Sequence, residues 1–356
     1  MKYTLEIQKI IYQVEDNQSL TPKDKVQMLK QAVAIADNND DVEWGYDVRM
    51  MLIRECYHLA SDTDLVTNFS WILNAYEEHP DWFDESDFLW QYKWVVRTMY
   101  DNPDVSMEQI QAILEDFKTR LTRNGYSMRP YYDRLYNEAL TLRQYDKAKE
   151  YLDLRNEAAD DAMGNCPACT LDNELDYFMQ TNQFDEAYNR AQPILDKQLT
   201  CGLVPARTLC TLTYYAWKSG KEDVAAELFE KADTEMELLE NDENLISEGG
   251  MLISYLAPRN PGKAAHYIEK CLPWMIDADG FSRYDFSAYM VEALKQWSGT
   301  DPLKLELPME FELYNEKGEY PLQQLKDYFY NTASELAGKF DERDNYHAYT
   351  ERLQKI

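Results

Sequence analysis

The sequence predicts an all-α protein, an α-α superhelix of about seven or eight antiparallel helix pairs. Three observations carry that reading. Apolar residues recur at helical spacing: Met107, Ile110, Ile113, Leu114, Phe117 and Leu121 share one helix face. Ala148, Ala187, Ala225 and Ala264 stand 39, 38 and 39 residues apart, and a fixed period of this size marks a helical array. Only 12 Gly and 13 Pro occur in 356 residues, which disfavours a chain of many tight β-turns.

Apolar periodicity predicts N-terminal helices over 3–15, 22–37, 41–60, 63–78 and 86–100. Asn102-Pro103-Asp104 then breaks the chain ahead of the helix opening at Met107. Ile110 lies 38 residues before Ala148, in register but without the small side chain. Each of the four alanines follows a short polar turn, such as Arg143-Gln144-Tyr145-Asp146-Lys147 or Asn182-Gln183-Phe184-Asp185-Glu186. Antiparallel helices approach most closely beside such a turn, and a small side chain lets them meet. The residues four later, Leu152, Ala191, Phe229 and Ile268, are expected to pack between them.

Leu303-Lys304-Leu305-Glu306-Leu307 alternates with period two, and Asn315-Glu316-Lys317-Gly318 reads as a turn. Residues 300–320 are therefore expected to form an extended excursion or small hairpin, able to occupy the groove of the array as an internal ligand. Leu322, Leu325, Phe329, Leu336 and Phe340 return to helical spacing and predict closing helices at 321–340 and 342–354. The chain divides into divergent N-terminal repeats (1–128), regular repeats (129–299) and an extended segment with capping helices (300–356).

Tyr145-Asp146-Lys147-Ala148, Phe184-Asp185-Glu186-Ala187-Tyr188 and Trp217-Lys218-Ser219-Gly220-Lys221-Glu222-Asp223-Val224-Ala225 resemble the tetratricopeptide repeat family. The resemblance covers roughly 129–275. The family's period is about 34 residues, so the surplus here belongs in loops. The family's regularly placed Pro and its early Trp-Leu-Gly signature are degenerate. The resemblance implies first helices lining a concave groove that binds a peptide, tail or helix of another protein.

The formal net charge is −29, from 65 acids against 36 Lys and Arg. A polyanion would be repelled, so neither nucleic acid nor an anionic membrane surface is an expected partner. A basic protein or peptide fits the charge. No uncharged stretch approaches the roughly 18 residues of a membrane span. Glu6 and Lys9 interrupt any signal-like apolar core, so a cytoplasmic protein is expected.

Cys166-Pro167-Ala168-Cys169, Cys201 and Cys210 gather four of the six cysteines within 45 residues of chain. Cys-x-x-Cys spacing can chelate one ion, and two further thiols could complete a tetrahedral zinc site. A redox role is the alternative, although no βαβ context surrounds the motif. Cys-Pro-Ala-Cys with the later Leu-Thr-Cys and Val-Pro is similar to a group of bacterial tetratricopeptide proteins in which a histidine often follows Val-Pro. That position here is Ala206.

On the expected first helices, Tyr131, Arg134, Asn173, Tyr177, Arg207 and Tyr214 are the candidate groove residues: aromatic rings to stack, an amide to hydrogen-bond, guanidinium forks to hold carboxylates. No His-Glu-x-x-His, phosphate-binding glycine loop or Gly-x-Ser-x-Gly occurs. Asp277-Ala278-Asp279-Gly280 lacks the opening acid and closing Glu of an EF-hand. A non-catalytic protein- or peptide-binding module is thus the expected function. A peptide-sensing cytosolic regulator and a metal or redox switch at the cysteines are the alternatives.

Overall fold

The computed structural model describes residues 2–61, 63–239, 242–278 and 280–356, so Asp279 of the acidic turn lies outside it. Eighteen α-helices occur among the described residues. They run α1 (Lys2–Asp16), α2 (Pro22–Asp37), α3 (Val42–Cys56), α4 (Thr63–Glu78), α5 (Ser86–Asp101), α6 (Met107–Arg123), α7 (Arg129–Thr141), α8 (Tyr145–Glu157) and α9 (Pro167–Gln180). Then follow α10 (Phe184–Arg190), α11 (Gln192–Leu195), α12 (Ala206–Lys218), α13 (Glu222–Leu238), α14 (Ile246–Leu256), α15 (Pro261–Asp277), α16 (Gly280–Lys295), α17 (Leu322–Asp344) and α18 (Ala348–Lys355). No helix is long and apolar enough to cross a membrane.

Local chemistry sets the boundaries. Thr21 with Asp24 and Ser106 with Gln109 form capping boxes that open α2 and α6. Asn260 caps α15 through the Lys263 N–H, with Pro261 in its first turn. The α3 helix stops at Cys56, short of the expected residue 60, and its following turn is used in a long-range contact described below.

Consecutive helices pack in pairs: α7 with α8, α9 with α10, α12 with α13, α14 with α15 and α16 with α17. The four periodic alanines are all fully buried where the pairs meet. Four residues on, Leu152, Ala191 and Ile268 are buried too, and Phe229 is partly buried against the same core. Burying a Leu or Ile side chain contributes about 1.5–3 kcal/mol, so the period marks where the helix pairs gain stability.

The turns share a backbone solution. Arg143, Asn182 and Gly220, each five residues before its alanine, have φ of 55°, 59° and 72°. This left-handed conformation costs most residues about 1–2 kcal/mol and glycine almost nothing. Nothing lies within 4 Å of where a Gly220 side chain would start. Gly220→Ala should therefore lower stability by about 1 kcal/mol, from backbone strain alone, in urea unfolding. A neutral or stabilising result would show that the turn relaxes freely.

The first helices also touch one another in chain order. α5 meets α7, α7 meets α9, α9 meets α12, α12 meets α14 and α14 meets α16. α16 then returns to α5, so the circuit of first helices closes. Arg343 of α17 donates to the carbonyls of Tyr100 (2.7 Å) and Asn102 (2.9 Å) at this seam. A second tie links the turn after α3 to residues 242–244: His58 Nδ1 pairs with Asp242 (2.8 Å), and the Ala60 N–H donates to Glu243 (2.8 Å).

Residues 300–320 form the expected small hairpin, with β1 (Leu303–Lys304) antiparallel to β2 (Glu319–Tyr320). It packs against α15 and α17. The Glu306 N–H donates to Glu269 of α15 at 2.7 Å, and Phe311 meets Tyr328 of α17 edge-on at 5.1 Å. Its buried leucines join the core of α12–α17. The segment is a structural strap here.

Candidate functional site

Charged side chains of α9, α12 and α14 meet one another. Arg207, in the first turn of α12, lies 3.6 Å from Asp172 on α9 and 3.3 Å from Glu248 on α14. The Arg207 side chain stays 40% exposed, although Asp172, Glu248, Asp176 and Tyr57 all act on its charge. Burial raises both Asp176 and Glu248 to about 7, with Asp172 adding repulsion and Arg207 only partly offsetting it. Between α12 and α16, Tyr214 donates to Glu292 (2.9 Å) and meets Tyr289 edge-on at 5.3 Å. Arg352 of α18 bonds Asp285 and lies 4.8 Å over the Tyr289 ring.

A cleft of about 480 Å³ opens between α6, α7 and α8 near the α5–α16 seam. That volume falls in the range of small-ligand sites. Tyr100, Tyr131 and Tyr151 supply aromatic walls, and Leu114, Leu135 and Leu142 supply apolar ones. Glu115, Glu138 and Asp344 face Lys147 as the one cation among the lining residues. Burial raises Glu138 to about 7, although Arg134 pulls it down. Arg134 reaches Glu138 Oε2 at 3.5 Å, while Glu138 Oε1 is buried with no hydrogen-bond partner. A buried carboxylate oxygen left this way costs about 1–3 kcal/mol or more.

The third feature is a group of thiols. Sγ of Cys166, Cys169 and Cys201 all lie within 4.8 Å of one another. Cys166 caps α9, accepting the Cys169 N–H at 3.3 Å, and Pro167 occupies the first turn. Burial pushes the Cys166 thiol up, but hydrogen bonds from Cys169, Cys201 and Ala168 outweigh it and leave it below its usual value. Burial holds Cys169 well above the usual range, and the hydrogen bond with Cys166 raises Cys201. Cys201 opens a tight turn closed by its N–H to Val204 O at 3.0 Å. Ala168, Ile194 and Val204 form a small buried cluster directly beneath, so the two turns meet through packing.

The residues singled out from the sequence thus divide among several places. Tyr131 lines the cleft, with Lys118 5.3 Å above its ring. Arg134 is engaged at the seam by Glu138 and by the Tyr100 ring, 4.7 Å away. Asn173 belongs to a network within the chain: its amide donates to Asn137 at 2.6 Å, and its oxygen accepts from buried Arg155 at 3.3 Å. Tyr177 packs against the α7–α8 core. Arg207 engages Asp172 and Glu248, and Tyr214 engages Glu292, so the six divide among different surroundings. Cys210 stands apart from the other three thiols, fully buried inside α12. Among the described residues no fourth His, Cys, Asp or Glu joins the group.

Sequence reasoning passed over Glu138, Asp176 and Glu248, because 65 acids offered no way to rank them. It also passed over Lys93, whose ammonium donates to Met163 O (2.8 Å) and Asn165 Oδ1 (2.9 Å) just ahead of Cys166. Burial lowers Lys93 to about 8, against the pull of Asp133, Cys169 and Asp161.

No protein-family model and no curated protein sequence matches the chain. The paired helices are what the structure establishes of the expected repeat fold.

Proposed function

We propose that this chain is a non-catalytic, tetratricopeptide-like module that binds a peptide segment of another protein, with a Lys or Arg side chain of that segment anchored in the cleft between α6, α7 and α8. The observation that carries the reading is Glu138. Its Oε1 is a buried acceptor without a donor, among three tyrosine rings and beside Asp344. A cationic side chain would satisfy that oxygen and stack on the rings, gaining about 0.5–2 kcal/mol per cation–π contact. The net charge of −29 favours the approach of a basic partner.

The anchor predicts a pH dependence with a definite sign. In the free protein Glu138 holds its proton up to about pH 7. A bound cation favours the carboxylate, so binding releases that proton, and affinity rises as pH climbs through 7. Calorimetry with short lysine-containing peptides should show about tenfold tighter binding at pH 8 than at pH 6. Acetylating the lysine should abolish binding, and Glu138→Gln should weaken it and flatten the pH profile. Tyr131→Ala should weaken it without flattening. Equal affinity for acetylated and unmodified peptides would sink the proposal.

A further inference from the structure

We infer that Cys166, Cys169 and Cys201 bind one zinc ion that clips two successive turns of the array together and keeps a fourth coordination position open to solvent. The inference stands apart from peptide binding and shares no residue with the cleft.

The geometry suits the ion. Tetrahedral zinc with Zn–S bonds of about 2.3 Å sets its sulfur ligands roughly 3.8 Å apart. The three Sγ atoms already lie within 4.8 Å of one another, so side-chain rotation closes the remaining gap. The Cys169 N–H aimed at Cys166 Sγ (3.3 Å) stabilises a thiolate there, as outer-shell donors do in metal sites. The packing of Ala168 against Val204 and Ile194 brings the turns together without metal, so little ordering opposes binding.

The charge also closes. Three thiols lose three protons to solvent as three Zn–S bonds form, leaving a complex of net charge −1. Lys93 supplies a neighbouring cation: it is tethered at Met163 and Asn165, and its charge acts on Cys169. A three-ligand site with a free position is the arrangement of zinc centres that take an exogenous ligand, whereas purely structural sites close with four. Cys201 is exposed, so the free position faces solvent. Cys210, buried in the core of α12, contributes no ligand.

The test uses the full chain, produced with zinc in the medium and purified without chelator. Elemental analysis should return about one zinc per chain. Cys166→Ser and Cys201→Ser should each lose it, while Cys210→Ala should retain it. Cobalt added to the metal-free protein should give sulfur-to-cobalt charge transfer and tetrahedral ligand-field bands, and imidazole should shift those bands by entering the free position. Circular dichroism of the variants checks folding, and the cobalt spectrum of the unaltered chain decides the matter if a variant unfolds. A metal-free protein with all three thiols titratable, or a disulfide recovered between two of them, would overturn the site. Cobalt bands indifferent to imidazole would overturn the open position.

Discussion

Gly280→Ala is expected to destabilise the protein by about 2–4 kcal/mol and to open the circuit of first helices. Gly280 begins α16 with φ +46°, a conformation that costs an alanine about 1 kcal/mol or more. An added Cβ would also strike the carbonyl of Asp101 and come within 3.2 Å of Asn102 Cα. Both are backbone atoms at the end of α5, and neither can swing aside as a side-chain tip would. Forced overpacking of this kind adds about 1–3 kcal/mol. The cheapest relief is to part α16 from α5, which also strains the bonds from Arg343 to Tyr100 and Asn102. Urea unfolding should show the loss, and solution scattering should show a larger radius of gyration. Gly220→Ala is the control, because it shares the positive φ but meets no atoms. Equal small effects from both substitutions would mean that the seam is loose in solution.

That seam has no signal in the sequence. The spans expected at 22–37 and 63–78 coincide with α2 and α4, because capping and apolar spacing are local properties. The buried Ala148, Ala187, Ala225 and Ala264 are legible for a similar reason: contact within a helix pair repeats, so its residue requirement repeats. Contact between α5 and α16 happens once. It depends on curvature summed over the intervening pairs, and Gly280 looks like any loop glycine until the partner backbone is known. Residues 300–320 show the same limit. Their alternation predicts a hairpin, but where it docks rests on contacts with Glu269 of α15 and Tyr328 of α17, which local alternation does not encode.

The candidate sites divide along the same line. Cys166 and Cys169 are visible by spacing, and Cys201 by its place in the turn ahead of α12. Cys210 falls out because its helix turns it into the core. Asn173 reads from sequence as a polar residue on a first helix, and a polar residue facing a partner looks no different from one facing Arg155 of its own chain.

Glu248→Gln should make the protein more stable, increasingly so as pH rises. Glu248 is buried in the first turn of α14, with Oε2 unpartnered and Oε1 3.3 Å from Arg207. Burial raises it from 4.5 to about 7. The folded state therefore binds this proton more tightly than the unfolded chain, and stability falls as pH rises between the two values. Below the unfolded pKa both states are protonated and the penalty is absent; above about 7 it is complete. Glutamine never ionises, so the variant escapes it. At 1.36 kcal/mol per unit, the variant's advantage should grow by about 2 kcal/mol between about pH 5.5 and pH 8. The comparison with the unaltered chain cancels the general self-repulsion of a protein carrying −29 charges. Arg207 keeps Asp172 as a partner at 3.6 Å, so the substitution does not leave it unpaired. A difference that stays constant across this range would mean that Glu248 is ionised in both states, with Arg207 compensating it fully. A difference that grows as expected would mean that Asp172, Asp176 and Glu248 together carry more negative charge than Arg207 neutralises.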